Sequence, residues 1–170
     1  MLEHRAFPLR PAPETSIAFK GTYREAGWQR CGSMAAQDGI TFTPWPHADH
    51  YPNWSLPALE AVKCLQQQGR DAVERVHLRL FAAFFTESRN IADPGEVARI
   101  VAEAGVDSAR FLADYRAGAG RDAVVKDYEA AIADGVRAIP AVIFPDTGQA
   151  LVGLVDTAQY RAAIEDAARC

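Results

Sequence analysis

The run "GVRAIPAVIF", Gly135 to Phe144, is the most strand-like stretch of the chain, yet a proline sits in its middle. Proline has no N–H to give a sheet ladder. It belongs at an edge, at a bulge or at the first residue of a strand. Pro140 therefore opens a strand, "AVIF", and does not lie inside one. "PDTGQ" and "ALVGLV" follow, which predicts a β-hairpin whose short loop contains Gly148. Asp156 and Gln159 then have capping-box spacing and start a last helix carrying Tyr160 and Ile164.

Upstream the period is helical. Leu59, Val62 and Leu65 predict a helix over Leu56 to Gln68, with Pro57 in its first turn and Gly69 at its end. Val73, Val76, His77, Leu80, Phe81 and Phe84 mark one face of the next. "DPGE" reads as a helix start. Asp93 is the N-cap, Pro94 the first helical position, and Glu96 the reciprocal member of a capping box. That helix ends at Gly105. Another starts at Asp107, where Val106 and Phe111 have the spacing of a hydrophobic staple. Gly118 and Gly120 break it. Arg121 to Asp134 then places Val124, Val125, Tyr128 and Ile132 on one face, with Gly135 as the stop. Before these helices come a short strand at Leu2–Leu9 and a helical or irregular stretch through Gln37. A proline-braced, solvated loop, "TPWPHADHYPNW", follows.

A single strand is not stable alone. The simplest arrangement returns Glu3–Leu9 to the hairpin at 139–155, with the helices inserted between. The chain has 170 residues, of which 49% are hydrophobic and 24% charged. At that size roughly 70% of the unfolded surface can be buried, enough for one domain without staples. A net charge of −4, with scattered Lys and Arg, argues against a nucleic-acid partner. No apolar run has membrane-spanning length, so no membrane partner is expected. The first residues do not read as a secretory signal. Cytoplasmic, reduced thiols follow as the expectation.

Three cysteines, Cys31, Cys64 and Cys170, stand far apart and form no CxxC. Cys64 lies on the apolar side of its helix and reads as a small hydrophobe. Cys170 is terminal and reads as exposed. Cys31, in "RCGSM", follows no strand and so lacks the setting in which a helix dipole lowers a thiol pKa. In "PHADH", His47, Asp49 and His50 are metal-ligand residue types, but the stretch reads as a loop and no metal site is assigned. His77 reads as a core histidine. No phosphate-binding glycine loop and no Gly-x-Ser-x-Gly elbow occurs.

Three pieces together resemble a known family. They are "HRAFPLRP", then "YPNWSLPALEAVKCLQQQG" with "FAAFFTESRNI", then "GVRAIPAVIF…ALVGLVDTAQYRAAIEDA". In this order they are similar to the cytoplasmic DsbA-like proteins, the branch that includes 2-hydroxychromene-2-carboxylate isomerases and DsbA-type oxidoreductases. The resemblance implies an α/β, thioredoxin-like (DsbA-type) fold with a large all-helical insertion. Residues 1–14 and 121–170 would form the thioredoxin-like portion and 15–120 the insertion. It implies a cis Ile139–Pro140 bond facing a catalytic cysteine, which makes Ile139 and Pro140 substrate-binding positions.

The family's first strand and its Cys-x-x-Cys or Ser/Cys motif find no counterpart here, so no catalytic residue is assigned. The resemblance thus implies N-terminal truncation, through a late-set start, a shortened product or completion by a partner. The expected activity is thiol–disulfide exchange without a cofactor, on a thiol or disulfide substrate. The alternatives are a glutathione-dependent isomerase and a non-catalytic module that binds extended peptide. A homodimer is a further expected association.

Overall fold

The computed structural model describes residues 3–46 and 50–169. Among them the chain forms seven α-helices and one hairpin. The helices are α1 (Tyr23–Ala35), α2 (Leu56–Cys64), α3 (Arg70–Phe81), α4 (Pro94–Glu103), α5 (Ser108–Arg116) and α6 (Arg121–Ala133). The strands β1 (Ala141–Phe144) and β2 (Gln149–Val152) follow, then helix α7 (Thr157–Ala167).

The helical body is built around α2, which packs on α3, α4, α5 and α6. Leu65, Val76, Val97, Ile100, Val101 and Phe111 are all 0% exposed in one cluster. Each such side chain contributes about 1.5–3 kcal/mol on leaving water. The predicted starts hold at α4 and α5. Asp93 accepts from the Gly95 and Glu96 N–H groups, and Asp107 accepts from the Arg110 N–H. The reciprocal arm of the expected capping box is absent. The Glu96 carboxylate accepts from Arg89 and Arg99, because two guanidinium groups outbid one backbone N–H. The helix expected over Leu56–Gln68 is α-helical only to Cys64 and tightens into a 3-10 turn over Leu65–Gln68.

Helices α2 and α6 touch at Gly120. A Cβ there would lie 2.3 Å from the Glu60 carbonyl oxygen, so only glycine permits the approach. Beside it, the buried Glu60 carboxylate accepts from Arg121 Nε at 2.7 Å. Cys64 lies in this core at 4% exposure, as a small hydrophobe should.

A second cluster is aromatic. Phe19, Trp28 and Trp45 are buried, with Phe42, Tyr51, Phe84 and Phe85 packed on them. The Trp28 indole N–H donates to the Thr43 carbonyl at 2.9 Å, and α1 is capped by Thr22. A one-turn π-helix at Ala82–Thr86 presents Phe84 and Phe85 to Trp28. The loop expected to be solvated is thus anchored in its described part. Trp45 is 1% exposed, and Trp54 Nε1 donates to the Pro11 carbonyl. The apolar area of these rings decides that placement. His47 and Asp49 lie outside the described residues, as does Cys170.

The N-terminal strand does not form over the described residues 3–9. That segment takes no part in the sheet, whose order is β1–β2 alone. It lies as an arm against α2, α3 and α6. The Ala6 N–H donates to Asp127 Oδ2 at 2.6 Å, and Phe7 meets Tyr128 edge to face. The His4 ring lies tilted against that of His77, with centroids 5.0 Å apart. Pro8, Pro11 and Pro13 remove donors that a ladder would need, and a carboxylate on α6 takes one that remains.

The C-terminal unit is a hairpin backed by α7. Its register pairs Ala141 with Val152, Val142 with Leu151, Ile143 with Ala150 and Phe144 with Gln149. Helix α7 begins with the expected capping box of Asp156 and Gln159, and Ala163 is buried on its inner face. Apolar face prediction fails in part on α6. Val124 is buried, but Val125 and Ile132 are exposed because no described element packs over them.

Candidate substrate-binding site

Helix α6 stops because Gly135 adopts φ 78°, a left-handed conformation that glycine enters without cost. Its N–H reaches the Ile132 carbonyl, and the Val136 N–H reaches that of Ala131. The Arg137 guanidinium donates back to the Val136 carbonyl at 3.2 Å. The chain then passes through Val136–Ile139 to Pro140, and the Ile139–Pro140 peptide is cis. The Pro140 carbonyl accepts from the Gly153 N–H at 2.8 Å, which pins the start of β1 to the end of β2.

Strand alternation and this register put Ala141, Ile143, Ala150 and Val152 on one face of the hairpin. That face is the floor of a groove of about 190 Å³, whose wall is Asp134 to Ala138. Ile143 is 40% exposed and Val152 52%. The apolar floor is therefore open to a ligand. Ile139 is 42% exposed at the same end, next to Pro140. The two residues singled out from sequence are exposed and stand in the chain between Ala138 and Ala141 of the lining, but neither lines the groove itself.

Sequence reading did not single out Ile143 and Val152. The signal was present, since a hairpin closed over "PDTGQ" sets which residues pair across it. It was masked because Ile143 and Val152 look like core residues, and only the absence of a covering layer makes them surface.

Among the described residues, no cysteine lines the groove. Cys31 is an exposed free thiol on α1, and Cys64 is free but buried. Burial pushes the Cys64 thiol up from its usual range, which keeps it protonated and unreactive. Among the described residues, no cluster of three or more His, Cys, Asp or Glu side chains could hold a metal. His50 carries a left-handed φ of 62° in its loop, while His77 packs between His4 and Phe81. No helix of the described residues is long and apolar enough to cross a membrane.

A helix–loop–hairpin–helix ending on a helical body is a thioredoxin-like arrangement. The crystal structure of a protein from Nitrosomonas europaea, provisionally described as a protein disulfide isomerase, superposes with a TM-score of 0.72. The match covers 92% of this chain and 79% of that one, at 12% identity, so it speaks to fold alone. The family model of the DSBA-like thioredoxin domain matches residues 2–165. The chain belongs to that family. Among curated proteins, none matches it.

Proposed function

We propose that this chain carries the substrate-gripping part of a DsbA-type thiol–disulfide oxidoreductase site. The Ile139–Pro140 corner and the groove beneath it receive an extended segment of a thiol- or disulfide-bearing protein. The observation that carries this reading is the open apolar floor, Ile143 and Val152, lying next to an accessible Ile139. A segment in extended conformation can lay alternate side chains on such a floor while its backbone meets the strand edge. Family membership supplies the class of chemistry, in which a thiolate attacks one sulfur of a disulfide and releases the other as thiolate.

The 170 residues contain no CxxC, and among the described residues no thiol lines the groove. By itself, then, the chain binds but does not turn over. The test has two arms. Fluorescence anisotropy with a labelled, unstructured peptide carrying one alkylated cysteine is expected to show saturable binding that weakens in Ile143→Thr/Val152→Thr. Insulin-disulfide reduction with dithiothreitol is expected at the uncatalysed rate. Robust reduction that disappears in Cys31→Ser would overturn the reading, as would peptide binding untouched by the double substitution.

A further inference from the structure

The arm over residues 3–9 buries Ala6 and Pro8, and the side chains that seat it include the ionisable His77, Lys63 and Asp127. His4 lies on His77 of α3 with ring centroids 5.0 Å apart. The Ala6 N–H is bound to Asp127 of α6, and Phe7 rests on Tyr128 of the same helix. Lys63 of α2 completes the seat. Its ammonium donates to the His4 carbonyl at 3.5 Å and pairs with Asp127 at 2.5 Å.

His77 is therefore faced by His4 from the arm and by Glu74 from its own helix, and Phe81 meets its ring edge to face at 4.6 Å. Lys63 adds a fixed positive charge on the His4 side of the seat. Its partner Asp127 offsets that charge but is committed to Lys63 and Ala6. Two neutral imidazoles pack in such a place. Two imidazolium ions at this separation repel, and one of them would be half-buried.

We propose that the N-terminal arm is a proton-sensitive latch, released from α3 and α6 when the His4–His77 pair becomes doubly charged. The direction is consistent with the surroundings. Burial first, and His4 second, hold the His77 imidazole below its ordinary value, with Glu74 opposing them only in part. A base whose folded pKa is depressed stabilises the closed arm above its ordinary value of about 6.5 and withdraws that stability as pH falls below it. The released arm uncovers Tyr128 and leaves Asp127 paired with Lys63 alone, on α6, the helix whose end carries the Gly135–Pro140 corner.

The latch is tested on the full chain by NMR between about pH 7.5 and pH 5.5, a window that titrates histidine and leaves ordinary carboxylates ionised. The readouts are the Phe7–Tyr128 ring contact and the protection of the Ala6 amide. In the wild type the contact should fade across the window and Ala6 protection should fall about tenfold after correction for intrinsic exchange. His77→Phe should keep both at about pH 5.5, since a phenyl ring retains the packing without the proton. His4→Gln, at an exposed position, should do the same and guards against a His77 variant that fails to fold. Persistence of the ring contact in the wild type at low pH would overturn the latch. So would its loss to the same extent in both variants.

Discussion

The helical body and the C-terminal ββα unit are similarly rich in apolar residues but bury them very differently. In the body, Val97, Ile100, Val101 and Phe111 are sealed on all sides by α2, α3 and α5. In the ββα unit, Ala163 is buried, whereas Ile143, Val152, Leu154 and Ile164 are between 40% and 73% exposed. A two-stranded hairpin is marginal without a third strand or a second packed layer. Here α7 supplies a layer on one side only. The body therefore carries the stability, and the ββα unit carries an accessible apolar surface, the property a binding site needs.

The contrast can be broken or sharpened by experiment. Phe111→Ala should have the largest effect, about 3–5 kcal/mol, read as a lowered urea midpoint, because the body cannot collapse around so large a void. Gly120→Ala should follow at about 1–3 kcal/mol or more, since its Cβ must push α2 away from α6. Asp93→Ala should cost about 1 kcal/mol through loss of the α4 cap. Ile143→Thr should shift stability by no more than about 0.5 kcal/mol while weakening peptide binding, the reverse of what the core variants do. If Ile143→Thr unfolds the chain, the groove floor is core, and the distinction between the two regions fails.

Hydrogen exchange probes the same division without mutation. Amides of β1 and β2 should exchange by local opening, well before those of α4, which should wait for global unfolding. Equal protection would show that the hairpin belongs to the same cooperative unit as the body.

Acid titration reaches the body through a different set of groups. Arg89, and after it Arg79, hold the Glu103 carboxyl down to about 2. Arg79 likewise lowers Glu87. A carboxylate held below its ordinary value adds stability at neutral pH that begins to go as pH falls through about 4 and is lost near the depressed value. The network is partly exposed, so high salt should blunt this acid sensitivity. Unfolding midpoints measured from pH 6 down to pH 2 at low and high salt check the sign.

Local signals in the sequence were strong wherever one residue type has one use. Asp93–Pro94, Asp107 and Asp156–Gln159 start helices because a short acceptor must meet free N–H groups. Gly135 ends one because φ is positive there, and Pro140 opens a strand because it has no N–H to donate. The hairpin and the family resemblance followed from the order of such signals. Partner choice was not legible in the same way. The apolar residues of Leu2–Leu9 predict a strand, but Asp127, Tyr128, Lys63 and His77, far away in sequence, offer that segment a seat on helices. Glu96 has the spacing for a capping box, but Arg89 and Arg99 claim it. Ile143 and Val152 read as core, and only the packing around them leaves them open. Sequence determined where elements begin, end and alternate, because those are contests between near neighbours. The tertiary structure decided which apolar faces are covered and which remain as a site, because burial depends on what else the whole chain brings to that face.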